Sequence, residues 1–160
     1  LLTAEVTDVL TQAAPLLIIT VGNEMRGDDG VGPYIAENLS PSGRDFFLID
    51  AGGRPENVLD SAVDTGAGEV IIIDAADFGG AAGEARLFSA EAIPETTLST
   101  HTFPLPVIAR LMEKDMGCTV RFLGIQATTF EYGAPLAPAM KETADAIIAA
   151  LRGRQSPSCS

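Results

Sequence analysis

The sequence predicts an α/β protein, a three-layer α/β/α sandwich around a mostly parallel central sheet of about five strands. Three observations lead there. Short apolar runs alternate with amphipathic stretches along the chain, the pattern of a sheet covered by helices. The runs, Val70-Ile71-Ile72-Ile73 above all, are nearly continuous, as in parallel strands buried on both faces. No repeat or linker interrupts them, so the 160 residues make one domain, long enough to bury a core without disulfides or a structural metal.

The elements follow in order. Leu16–Val21 is an apolar strand, and Val31–Leu39 after it has helical spacing. Phe46–Ala51 is a second strand. Pro55 suits the first turn of a short helix running from Glu56 to about Val63. Glu69–Ala75 is the clearest buried strand, and Ala75–Gly83, small residues with three glycines, reads as a mobile loop. Glu84–Phe88 alternates as an edge strand does. Leu105–Lys114 is helical by spacing, Thr119–Ile125 is another strand, and Ala137–Leu151 is a closing helix. Residues 1–14 and 152–160 are expected to be peripheral to the domain spanning 1–160, the latter as a frayed Gly-, Pro- and Ser-bearing tail.

Charge narrows the function. Acids outnumber bases 22 to 10, and the net charge of −12 excludes the basic face that nucleic acids and anionic membranes require. No apolar run reaches the roughly 18 residues of a membrane span. Residues 1–14 carry acids and no early basic cluster, unlike a secretory signal. Two cysteines, Cys118 and Cys159, form no Cys-x-x-Cys pair, which leaves a reducing, cytoplasmic setting and no zinc ribbon.

In open parallel sheets, ligands collect beyond the carboxyl ends of the strands. The most informative stretch passes that filter: Val21-Gly22-Asn23-Glu24-Met25-Arg26-Gly27-Asp28-Asp29-Gly30-Val31-Gly32 links the first strand to the first helix. Its glycines let the backbone turn sharply. Its adjacent carboxylates, Asp28 and Asp29, repel each other unless a cation or a proton is shared, although a solvated turn tolerates such a pair. Asp50 ends the second strand, Asp74 ends the Val-Ile-Ile-Ile strand, and Asp77 follows. Acids at three strand ends converge on one rim. Helix capping is the simpler account of Asp50, ahead of Pro55, but it suits Asp74 less, because no helix follows it directly.

His101, the single histidine, lies in a loop ahead of a helix. Alone it reads as a packed or surface residue. Beside strand-end carboxylates it becomes a metal-ligand candidate. One imidazole and two carboxylates suit Ni²⁺, Zn²⁺, Mn²⁺ or Fe²⁺ with open positions, whereas an all-oxygen site favours Mg²⁺ or Ca²⁺.

Several motifs are absent. The first turn lacks the Gly-Lys-Ser/Thr of a P-loop and the Gly-x-Gly-x-x-Gly spacing of a dinucleotide site. No Gly-x-Ser-x-Gly nucleophile turn occurs. An acid-pocket, Mg²⁺-dependent phosphotransfer domain shares the strand-end acids, but it needs a lysine near a late strand end, where this chain has Gly124-Ile125-Gln126-Ala127.

Taken together, these residues resemble the endopeptidases that mature the large subunit of nickel-iron hydrogenases. The resemblance rests on Gly22-Asn23 with Arg26-Gly27-Asp28-Asp29-Gly30-Val31-Gly32, then Asp50-x-Gly52 with Pro55-Glu56-Asn57. It continues with Ile73-Asp74-Ala75, Thr100-His101 and Leu123-Gly124-Ile125-Gln126, in family order over roughly residues 16–151. The pair Asp28-Asp29 with Gly-Ile-Gln is most similar to the branch serving formate-linked and methanogen hydrogenases, and within it to the delta subunit of coenzyme F420-reducing hydrogenase.

The resemblance implies removal of a short C-terminal extension from a nickel-loaded hydrogenase large-subunit precursor. Asp29, Asp74 and His101 fall on the family's metal-binding positions. Asp50 falls on one tied to recognition or cleavage. Asn23 and Asp28 are further expected substrate contacts, Asp28 also supporting the turn. The attacking water is expected to be oriented by Asp29, Asp74 or Asp50. The nickel is expected to arrive on the substrate's cysteines and serve as a recognition key, the enzyme holding no tightly bound metal of its own. The expected partner is the precursor, with neither nucleic acid nor membrane, and the enzyme is expected to be a monomer. A non-catalytic nickel-sensing or chaperone subunit of a hydrogenase is the alternative.

Overall fold

The computed structural model describes residues 2–12, 15–41, 46–54, 58–93 and 105–154. Five strands, β1 (Leu16–Val21), β2 (Phe46–Gly52), β3 (Glu69–Ala76), β4 (Ala85–Ser89) and β5 (Thr119–Gln126), form one sheet in the order β2-β1-β3-β5-β4. β1, β2, β3 and β5 run parallel, and β4 pairs antiparallel on the edge of β5. Each strand lies within a residue of its expected span, because strands covered on both faces carry a strong apolar signal.

Side chains alternate between two cores. Ile71, Ile73 and Ala75 face α1 (Ala4–Thr11), α2 (Val31–Glu37) and α5 (Pro138–Arg152). Val70, Ile72 and Ala76 face α3 (Leu59–Thr65) and α4 (Leu105–Met116). Ile71, Ile72 and Ile73 are at most 1% exposed, and burial of each side chain stabilises the fold by about 1.5–3 kcal/mol.

Two expectations change, and a third is described only in part. Residues 1–14 are not peripheral throughout: Thr3 caps α1 by accepting the Val6 amide, and Val6 and Leu10 are buried beside α5. The Arg154 guanidinium donates to the Leu10 carbonyl at 3.0 Å, so residues from both ends of the chain close on each other. The loop expected to be mobile is held by hydrogen bonds: the Gly83 amide donates to the Gln126 carbonyl at 2.9 Å, and the Gln126 amide to the Glu84 carbonyl at 2.8 Å. The helix expected from Glu56 is described from Leu59 and ends at Thr65, where Gly66 takes a left-handed φ of 65°; residues 55–57 lie outside the described part.

The chain leaves β1 for β2 on one side, then crosses to β3 on the other. β1 is therefore flanked by strands reached in opposite directions, and a crevice forms beyond their carboxyl ends. Among the described residues no helix is long and apolar enough to cross a membrane.

Candidate active site

The crevice is filled by the turn after β1. Gly27–Gly30 forms a 3₁₀ turn that packs against β3 and leads directly into α2. Two glycines make the fold-back possible. At Gly22, where φ is 143°, a Cβ would lie 2.0 Å from the Asp29 carbonyl oxygen. At Gly32 it would lie 2.2 Å from the carbonyl oxygen of Val21. The turn therefore sits directly on the end of β1, with no room for a side chain between.

The two adjacent acids diverge. Asp28 is buried, and its Oδ2 accepts from the Thr128 amide (2.7 Å), the Thr128 hydroxyl (2.7 Å) and the Thr129 amide (3.3 Å). Its Oδ1 accepts from the Ala137 amide at 2.9 Å. This carboxylate binds the first motif to the segment between β5 and α5. Asp29 is 1% exposed, and its Oδ2 accepts the Asn23 amide at 2.9 Å. The Asn23 side chain turns back on its own loop, its Oδ1 accepting the Met25 amide at 2.9 Å.

Asp74 is wholly buried near the end of β3, opposite Gly124 of β5. Strand alternation puts it on the side of Ile72 and Ala76, toward α3 and α4. Asp50 ends up elsewhere. It follows the alternation of Phe46 and Leu48 toward α2, and its Oδ1 accepts the Thr20 hydroxyl (3.2 Å) and the Gly52 amide (3.1 Å). It is exposed and lines a cleft of about 370 Å³ with Asn23, Glu24, Pro33 and Glu37. The parallel strands thus bring all three acids to one rim. Asp29 and Asp74 are its buried members, while Asp50 opens to solvent on the sheet face opposite Asp74. His101 lies outside the described residues, among which no group of three or more metal-ligating side chains is present.

Selecting only acids and histidine passes over Gln126, which ends β5 on the same rim. Its Oε1 accepts the amides of Phe78 (2.9 Å) and Gly80 (3.1 Å). Its Nε2 donates to Asp77 Oδ1 (3.1 Å) and to the Ala127 carbonyl (3.0 Å). The strand-end filter would have found it had amides been included.

A family model described as hydrogenase maturation protease, the HycI type, matches residues 31–153. The chain belongs to the hydrogenase maturation protease family. This protease is 33% identical over 140 residues to a hydrogenase 3 maturation protease of Escherichia coli strain K12, covering 86% of this chain and 88% of that one. Its fold matches the solution structure of an endopeptidase HycI from Escherichia coli with a TM-score of 0.76 at 31% identity, over 86% and 89% of the two chains. The crystal structure of a NiFe hydrogenase maturation protease HycI from Thermococcus kodakarensis KOD1 gives a TM-score of 0.78, covering 94% of this chain and all of that one; at 24% identity it speaks for the fold alone.

The protease's rim thus holds two buried carboxylates, Asp29 and Asp74, at neighbouring strand ends. The phosphotransfer reading loses its ground, since β5 ends in Gly124-Ile125-Gln126 without the lysine it needs.

Proposed function

We propose that this protease removes the C-terminal extension of a nickel-iron hydrogenase large-subunit precursor, using nickel already held by the precursor as its recognition element. The observation that carries the proposal is the burial of Asp29 and Asp74 at the crevice between the ends of β1 and β3. Two such carboxylates, with His101 as third ligand, make an incomplete shell. A shell of that kind suits a metal whose remaining ligands come from the substrate's cysteines. Docking on the metal then fixes the scissile bond relative to the rim, which converts recognition into orientation.

Hydrolysis needs water to bond to the scissile carbonyl carbon, the C–N bond to break, and a proton to reach the leaving amine. Asp50 is exposed to the cleft beside Asn23 and takes the role of orienting that water or the strand that carries the bond. Asp28 serves as a brace, since its two oxygens accept four hydrogen bonds from the fold. The enzyme works as a monomer in the cytoplasm in this reading. Assignment to a coenzyme F420-reducing hydrogenase rests on the Asp28-Asp29 and Gly124-Ile125-Gln126 motifs alone.

Incubation with nickel-loaded precursor, followed by mass spectrometry of the large subunit, tests the site. Wild-type protein should release one C-terminal peptide. His101→Ala and Asp74→Asn should each slow release at least about 100-fold while circular dichroism stays unchanged. Full activity of His101→Ala would contradict the proposed shell.

A further inference from the structure

The amide of Gln126 is saturated: two backbone N–H groups reach its oxygen, and its nitrogen donates twice. The side chain is 6% exposed, so each of these bonds is made away from water. Its register partner on β3 is Ala76, two residues beyond Asp74, and alternation places Gln126 and Asp74 on the same sheet face. Three of the four partners, Asp77, Phe78 and Gly80, belong to the segment that continues β3 past Asp74. Phe78 is held from its other side by an edge-to-face contact with Phe88 at 5.5 Å and by the Arg86 guanidinium at 4.6 Å.

A segment of exposed Asp77 and Gly79 with half-buried Phe78 and Gly80 has little apolar area to hold its own shape. Beside the ring contacts of Phe78 and the bond from the Gly79 amide to Asp77 Oδ1 at 3.3 Å, the side chain that ties three of its four residues together is Gln126. We propose that Gln126 is a positioning residue for precursor binding: it presents the 77–80 backbone as a preformed wall beside Asp74, against which the extended substrate segment lies. The inference rests on the reading of function above. A wall ordered in advance spares the complex the entropy of ordering it on binding. Asp74 itself is held by the pairing of β3 with β5. Loss of the clamp therefore weakens substrate binding and leaves the chemical step largely intact, which separates KM from kcat.

The polarity of the clamp supplies the test. Gln126→Glu keeps an acceptor for Phe78 and Gly80, but turns a donor into a carboxylate facing Asp77 Oδ1 and the Ala127 carbonyl. With nickel-loaded precursor at pH 7.5, this variant should raise KM about tenfold and leave kcat within about twofold. Adding Asp77→Asn, which returns a donor to the pair, should bring KM back to within about threefold of wild type. An unchanged KM in Gln126→Glu, or a raised KM that Asp77→Asn does not lower, overturns the proposal. A second measurement needs no variant: in the free wild-type protein, the Phe78 and Gly80 amides should already be protected from hydrogen exchange. Rapid exchange of both would overturn the preformed wall. Failure of wild-type protein to cut the precursor would instead overturn the functional reading.

Discussion

Asp28 and Asp29 are chemically identical neighbours with different fates, and the difference is legible only in three dimensions. The partners of Asp28 lie 100 to 109 residues away along the chain, so no local pattern announces that it is a brace. Asparagine at position 28 would aim an NH₂ group at backbone amides that need an acceptor. Leaving such donors unsatisfied costs about 2–3 kcal/mol, so Asp28→Asn should lower Tm by roughly 5–10 °C. Asp29→Asn, whose amide oxygen can still accept the Asn23 amide now held at 2.9 Å, should change Tm by less than about 3 °C yet remove precursor cleavage. Paired melting curves and cleavage rates check both; the reverse pattern would exchange the two roles. The buried place of Asp74 near the end of β3 was legible from the unbroken apolar run it follows. The clamp by Gln126 was not, because it joins residues 48 apart.

At the scale of elements, strands were legible and their connections were not. A strand buried on both faces writes itself as a run such as Val70–Ile73, whereas α1 offers Val6, Val9 and Leu10, a single short apolar face within eight residues. The turn after β1 lies between these cases: its glycines forecast a sharp bend, but not that the bend folds back over β1. Gly22→Ala should prevent proper folding, because a Cβ 2.0 Å from the Asp29 carbonyl oxygen meets rigid backbone. Gly53→Ala, whose Cβ meets nothing within 4 Å, should be silent in the same thermal melt. Loss of stability in both, or in neither, would contradict this account of the turn.

The edge strand β4 is guarded by charge. Arg86 beside Glu84, at 2.6 and 3.0 Å, holds that carboxyl below its ordinary range, helped by the Ala81 amide. The pair's contribution to stability is therefore present above the ordinary glutamate pKa and is lost as pH falls through the lowered value. An NMR titration of Glu84 should show a midpoint below that of an ordinary glutamate, moving back toward it in Arg86→Leu; an unshifted midpoint in wild type would contradict the pairing.

At the scale of the whole molecule, strand order makes the site. β1 sits between β2 and β3, so the ends of three strands offer Asp50, the Asp29 turn and Asp74 along one rim. Strand alternation then splits the set, with Asp74 toward α3 and α4 and Asp50 toward α2. Convergence on the rim follows from parallel pairing and was legible in the sequence; the division between faces depends on where each acid falls in its strand's alternation. It separates Asp74, one of the two buried acids proposed to engage nickel, from the exposed acid proposed to face water and substrate. In that reading the metal is a key carried by the substrate, and the enzyme's specificity is a test of whether the precursor has been loaded.

The most direct test compares cleavage of the same hydrogenase large-subunit precursor with and without nickel by wild-type protein. The nickel-loaded form should lose its C-terminal extension and the nickel-free form should stay intact. Equal cutting of both would contradict nickel recognition.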